Sequence, residues 1–179
     1  CGILKSFRDW AYNRGETIRA TTSFLMADST TPDGDYIKPQ TNPTNTDCWN
    51  GKAYTPLNQL TPGRTKYGTN NNVRIFRYAD VLLMNAEAKI KNGKSGDAPF
   101  NEVRRRAQMP ELTNVTFEQV IDERRMELVC EWGERYNDLV RTGLAKTELK
   151  GWSEDKALLP LPFNQYTQIP DLLKEPKDE

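Results

Sequence analysis

The clearest alternation of hydrophobic and polar residues lies in the middle of the chain. Five apolar positions recur there at steps of three and four residues: Ile75, Ala79, Leu82, Ala86 and Ile90. Side chains with that spacing share one face of an α-helix. The pattern therefore predicts a helix over residues 74–91, and Asn92-Gly93 supplies a stop.

A second, shorter helix is predicted over residues 97–107. Phe100, Val103 and Ala107 give its apolar positions, and it ends before Pro110 because proline has no N–H to donate to a helix. With the first helix it could form an antiparallel pair of the kind found in tetratricopeptide-like repeats. One pair cannot bury its apolar face alone, so partner helices are expected.

The densely charged stretch that follows Thr116 also has helical spacing. Thr116 lies three residues before Gln119, which is the spacing of a capping box at a helix N-terminus. We predict a third helix from Phe117 to near Gly133, and then a fourth, short helix that Gly143 ends.

Outside this helical block the patterns are shorter. A short helix is predicted before Asn13-Arg14-Gly15, and β-branched residues between Thr17 and Met26 predict a short strand. Between residues 27 and 72 no period survives, and Pro, Gly, Asn and Thr dominate. The sequence indicates a mainly α fold made of a loop-rich segment, a helical core and an extended, proline-containing tail: residues 1–72, 73–143 and 144–179.

Composition narrows the classes of function. The chain has 25 Lys and Arg against 25 Asp and Glu, so no net charge favours nucleic acid, and no nucleic-acid partner is expected. Histidine is absent, which removes the commonest general base and zinc ligand. The cysteines Cys1, Cys48 and Cys130 fit no metal pattern, and Cys130, after two apolar residues, is expected to be a buried, unreactive thiol.

Three carboxylates in the charged stretch admit two interpretations. Glu123, Glu127 and Glu131 recur every fourth residue, so they line one flank of a helix, and with Glu87 they could bind a metal or divide into acid and base. The balanced charge of the helical block instead favours ion pairs with its arginines, because Arg binds carboxylates in a bidentate manner.

We therefore interpret the charged stretch as structural. Ile121, Leu128 and Trp132 are expected to face a core. No catalytic residue, no metal ligand and no cofactor is assigned. The predicted ion-pair network comprises Arg77, Glu87, Arg104, Glu123, Arg124, Glu127, Glu131 and Arg135.

Aromatic residues flank or occupy the long irregular segment. They are Trp10, Tyr12, Trp49, Tyr54 and Tyr67. Aromatic faces presented by loops can stack on sugar rings, and these five are the candidate ligand-binding residues. Packing of the same rings on the core is an equally good explanation.

Four motifs in a fixed order resemble one family. They are "IFRYADVLLMNAEA", "FNEVRRRA", "IDERRMELVCEWGERYNDLVRTG" and "LLPLP", and they span residues 74–162. In order and approximate spacing they are similar to the C-terminal part of the SusD/RagB family of outer-membrane nutrient-binding lipoproteins. "GETIRATT" near the start is similar to a segment that follows the middle of such proteins.

The resemblance implies a function that composition does not. Members of that family bind oligosaccharides, or peptides in some branches, and catalyse nothing. They lie on the surface of the outer membrane of Gram-negative bacteria, held by a lipid anchor, and cap a SusC-like TonB-dependent transporter. Because members are much longer than this chain, the anchor is expected on a missing N-terminal part, and Cys1 is expected to be an internal residue.

Three functions remain to be separated. The preferred one is noncatalytic glycan binding and delivery to the transporter, with peptide binding as its variant. A helical-repeat scaffold that binds only a protein partner is the second. A carboxylate metalloenzyme built on Glu127 is the third.

Overall fold

The computed structural model describes residues 2–39, 47–62, 72, 74–132, 134–158 and 162–168. These residues form eight α-helices: α1 Lys5–Asn13, α2 Ile18–Ser23, α3 Tyr78–Lys91, α4 Asp97–Arg106, α5 Phe117–Glu127, α6 Glu134–Arg141, α7 Ala145–Glu148 and α8 Phe163–Gln168. The predicted mainly α fold is confirmed. The chain forms two compact units that divide after Arg135. None of the helices in the described part is both long and apolar enough to cross a membrane.

Helices α3 and α4 pack against each other, joined by the five residues 92–96. Gly96 makes the turn possible, because a Cβ there would lie 2.8 Å from the carbonyl oxygen of Ala86 and 2.9 Å from the Ile90 side chain. Leu83 and Phe100 are fully buried between the two helices. The predicted pair is confirmed.

Helix α5 begins where the sequence predicts. Thr116 accepts a hydrogen bond from the backbone N–H of Gln119, whose side chain accepts one from the backbone N–H of Thr116. This reciprocal capping box satisfies two N–H groups that the helix itself leaves unpaired. Val120 joins the core of α3 and α4, while Met126 joins a second core around α1 and α2. Helix α5 therefore lies between two apolar clusters.

The N-terminal residues build that second core with short strands. These are β1 Phe24–Met26, β2 Ser29–Thr30, β3 Tyr36–Ile37 and β4 Cys48–Asn50. β1 pairs antiparallel with β4, and β2 pairs antiparallel with β3. Short 3₁₀ turns follow at Gly51–Ala53 and Leu57–Gln59. Parts of the segment between residues 27 and 72 are therefore regular, although the sequence shows no period there.

The predicted strand between Thr17 and Met26 is wrong for most of its length. Helix α2 replaces it up to Ser23, and only β1 is extended. The hydroxyls of Thr21 and Thr22 donate to carbonyl oxygens one turn earlier, at 2.9 and 3.1 Å. Burial of Arg19 in this helix also outweighs the β preference of its neighbours.

Two helix boundaries also differ from the prediction. Helix α3 begins at Tyr78, and Ile75 is 70% exposed and outside it. Helix α5 ends at Glu127, before a turn in which Cys130 has φ of 62° and Trp132 has φ of 24°. Such left-handed backbone cannot continue a helix.

The second compact unit begins after Arg135. Gly143 has φ of 76° just after α6, so the predicted stop is confirmed. Helices α7 and α8 and a 3₁₀ turn at Glu154–Ala157 lie where the sequence predicts an extended tail, so that prediction is wrong for these residues. Each segment is six residues or shorter, too short for a helical period to be visible in the sequence.

Candidate functional site

Helix α5 carries the centre of an extensive ion-pair cluster. We call it the Glu123 network; its carboxylates are Glu16, Glu123, Glu127 and Glu131, and its cations are Arg14, Arg19, Lys52, Arg77, Arg104 and Arg106. The network links three parts of the fold, because α5 lies between the N-terminal core and the α3–α4 pair.

Glu123 is fully buried, with 0% of its side chain exposed. It accepts hydrogen bonds from Arg14 and Arg19, both at 2.6 Å, and from Arg104 at 2.9 Å. Burial alone would raise the pKa of Glu123, but the charges of Arg19 and Arg14 outweigh it and the pKa is lowered. The carboxylate is therefore ionised in the folded protein at neutral pH.

Glu127 and Glu131 continue the network toward the surface. Glu127 accepts from Arg77 at 2.8 Å and Arg106 at 2.6 Å, and Glu131 accepts from Arg77 at 2.8 Å and Lys52 at 2.6 Å. Burial lowers the pKa of Lys52 although Glu131 opposes it. Burial would likewise raise the pKa of Glu131, but the hydrogen bonds from Arg77 and Lys52 lower it.

This arrangement disfavours metal binding and proton transfer by the four carboxylates. Each of the four carboxylates faces at least two cations, which occupy the lone pairs that a metal ion or a transferable proton would need. Among the described residues no group of three Asp, Glu, Cys or His is arranged to hold a metal ion.

The predicted network also includes Arg124, Glu87 and Arg135. Arg124 is buried and pairs with Asp80 and Glu134. Glu87, near the end of α3, faces Lys91 one turn later at 3.5 Å. Arg135 is half-buried at the start of α6.

Four members of the network that precede α3 are not predicted: Arg14, Glu16, Arg19 and Lys52. Three of them are cations that reach distant carboxylates, Arg14 and Arg19 about a hundred residues and Lys52 79 residues further along the chain. The only local signal is the spacing of Glu16 and Arg19, three residues apart, which pair across one turn. Long-range pairing of this kind has no sequence period.

The described candidate aromatic residues lie on different elements of the structure. Trp10 stacks on Phe7 with ring centroids 5.4 Å apart, and the guanidinium of Arg125 lies 4.5 Å from its ring. Tyr12, 48% exposed, meets Phe24 edge to face. Both rings of α1 thus pack on the N-terminal core.

The other described candidates, Trp49 and Tyr54, lie on β4 and just after the 3₁₀ turn that follows it. Trp49, on β4, donates to the carbonyl oxygen of Lys38 at 3.3 Å. Tyr54 donates its hydroxyl proton to Asp35 and lies 3.1 Å from the hydroxyl of Thr31. Tyr67 lies outside the described residues.

A cleft opens beside Tyr54. Two adjoining depressions, of about 500 and 400 Å³, share four lining residues, and we call them together the Tyr54 cleft. The shared residues are Lys52, Tyr54, Arg74 and Glu131. Trp132 lines the first depression, and Arg77 and Arg106 line the second.

The cleft contains two residues whose predicted placement is wrong. Trp132 is 62% exposed instead of facing a core, and its indole N–H donates to the carbonyl oxygen of Arg74 at 2.5 Å. Cys130 is exposed and not buried. Both follow from the left-handed turn after α5, which rotates the side chains away from the helical positions assumed for them. Ile121 and Leu128 are buried as predicted.

Comparison with models of protein families identifies the family of this chain. The model of the SusD family matches residues 3–171, and the chain therefore belongs to the SusD family. This agrees with the resemblance drawn from the four ordered motifs. The identification covers both the loop-rich segment and the helical block.

Two relatives share part of the sequence. The chain is 33% identical to the SusD-like protein P38 of Formosa agariphila, over 56% of this chain and 24% of that protein. It is 36% identical to the starch-binding protein SusD of Bacteroides thetaiotaomicron, over 45% of this chain and 14% of that protein.

Solved structures match over nearly the whole chain. Surface glycan-binding protein A from Bacteroides thetaiotaomicron superposes with a TM-score of 0.78 at 29% identity, over 97% of this chain and 40% of that one. A structure of that name in complex with laminarihexaose gives the same TM-score at 27% identity. The chain spans less than half the length of each of these relatives.

Proposed function

We propose that this chain is part of a noncatalytic surface protein that binds a glycan at the outer membrane and delivers it to a SusC-like TonB-dependent transporter. The observation that carries the proposal is the superposition, over 97% of the chain, on surface glycan-binding protein A, which is also solved with laminarihexaose. The membrane location, its lipid anchor and the transporter partner rest on membership of the family.

The Glu123 network supports a role without catalysis. A general acid or base must exchange a proton, and it works best with a pKa near the operating pH. The pKa values of Glu123 and Glu131 are lowered instead, because their cationic neighbours outweigh burial. These carboxylates act as structural anchors between α5, the N-terminal core and the α3–α4 pair.

Affinity electrophoresis of the full-length protein tests the proposal. Its migration should be retarded in gels that contain a recognised polysaccharide, and chromatography should recover the corresponding oligosaccharide uncleaved after incubation. Co-purification from outer membranes should recover a TonB-dependent transporter.

The alternatives give different results. Retention by peptides and by no polysaccharide would indicate the peptide-binding variant. Cleavage of the oligosaccharide, abolished by Glu127→Gln without loss of thermal stability, would support the metalloenzyme. A cytoplasmic protein that co-purifies only with a soluble partner would support the helical scaffold.

A further inference from the structure

The Tyr54 cleft presents aromatic rings that are held in place. The hydroxyl of Tyr54 is fixed by Asp35 and Thr31, and the indole of Trp132 is fixed by its hydrogen bond to the Arg74 carbonyl oxygen. Trp132 is mostly exposed although it is a large apolar residue, and its φ of 24° is unfavourable for a side chain of that size. Strained backbone of this kind concentrates at ligand sites.

The cleft also carries an excess of positive charge. Its described lining residues include five cations, Arg19, Lys52, Arg74, Arg77 and Arg106, and two carboxylates, Glu127 and Glu131. Arg74 lines both depressions and has no ion-pair partner among the described residues. A cleft lined mainly by one sign of charge concentrates ligands of the opposite sign.

The exposed cation Arg106 is much more accessible than the acid that it contacts. The side chain of Arg106 is 61% exposed, while that of Glu127, which it contacts, is 1% exposed. Glu131 is shielded by Arg77 and Lys52 on its two oxygens. A ligand that enters the cleft therefore meets guanidinium donors and aromatic rings before it meets a carboxylate.

We propose that the Tyr54 cleft binds an acidic sugar unit, with its carboxylate or sulfate on Arg74 and Arg106 and its ring on Tyr54 and Trp132. The proposal rests on the proposed glycan-binding function and names the substrate class. Arginine suits this role because its planar fork of N–H groups matches the oxygens of such anions. The aromatic rings supply the apolar surface that the C–H face of a sugar requires.

Calorimetric titration of the full-length protein tests this inference with three probes. They are an oligogalacturonate, which carries carboxylates, a sulfated carrageenan oligosaccharide, and neutral laminarihexaose. We expect at least one charged probe to bind about tenfold or more tightly than laminarihexaose at low salt, and its affinity to fall as salt increases. Binding of only one charged probe identifies the anionic group.

Two matched variants locate the interaction. Arg74→Gln should weaken binding of the charged probe by about tenfold or more, the size expected for a charge-assisted hydrogen bond. Arg105→Gln removes an equal charge from α4, where Arg105 pairs with Glu111 and does not line the cleft, and should leave the affinity unchanged. Circular dichroism checks that both variants are folded.

The failures are distinguishable. Tighter binding of laminarihexaose than of either charged probe, or equal loss in Arg74→Gln and Arg105→Gln, overturns the acidic-sugar assignment and leaves glycan binding intact. Absence of binding to all glycans contradicts the proposed function as well.

Discussion

Glu123→Gln should strongly destabilise the protein, because it removes one charge from the centre of the buried network without changing side-chain size. The carboxylate accepts three charged hydrogen bonds, from Arg14, Arg19 and Arg104. An amide can accept through its oxygen alone, and its NH₂ group points donors at guanidinium donors. Three cations would then share an inadequate acceptor.

The size of the effect follows from the contacts. A hydrogen bond to a charged group contributes about 1.5–3 kcal/mol, but each arginine keeps at least one other acceptor: Arg14 the carbonyl of Asp122, Arg19 the carboxylates of Glu16 and Glu127, and Arg104 the carbonyl of Pro110. We therefore expect a loss of about 3–5 kcal/mol, the range measured when one partner of a buried pair is removed. The free energy of unfolding of a whole domain is only about 5–15 kcal/mol, so this loss is a large fraction of it.

Urea denaturation of the purified full-length protein measures this loss, with the midpoint falling at an unchanged m-value. Glu102→Gln is the matched control, since Glu102 is exposed on α4 and makes no ion pair with a described residue. A Glu123→Gln midpoint that shifts no more than the control midpoint would refute the structural interpretation of the network.

Two further predictions concern the same helix. Thr116→Ala should lower the free energy of unfolding by about 1 kcal/mol, because it removes the capping box. Thr113 is exposed and precedes the cap, so Thr113→Ala should change the free energy of unfolding little. Equal effects of the two substitutions would contradict the prediction. Acid should also destabilise the fold: the folded-state pKa values of Glu123 and Glu131 lie below the ordinary value of 4.5, so their contribution is complete above about pH 4.5 and lost as the pH falls through the folded pKa values. The urea midpoint, measured from pH 7 to pH 3, should decrease once the pH is below 4.5, and it should decrease less steeply in Glu123→Gln. A midpoint that does not change with pH would contradict the assignment.

The sequence predicts those parts of the fold that local interactions determine. The apolar positions of α3 and the cap at Thr116 depend on neighbours within four residues, so their pattern is visible in one dimension. Helix α2 is different, since its Thr-rich residues favour a strand until Arg19 is buried against Glu123, 104 residues away. The tertiary ion pair between Arg19 and Glu123 therefore favours the helical conformation of α2.

The site shows the same division. The spacing of four residues between Glu123 and Glu127 is visible in the sequence, and it predicts that both side chains lie on the same flank of a helix. Arg14 and Arg19, which pair with Glu123, and Lys52, which pairs with Glu131, come from N-terminal residues that contact α5 only in the folded chain, and no local pattern encodes this. The prediction for Trp132 is wrong because the left-handed turn after α5 interrupts the helical period.

Glycan binding is the central claim, and isothermal titration of the full-length protein tests it most directly. The titrants are laminarihexaose, charged oligosaccharides and a panel of peptides. We predict saturable binding of at least one oligosaccharide, which is recovered intact afterwards. Saturable binding of a peptide with no heat from any oligosaccharide would contradict the claim.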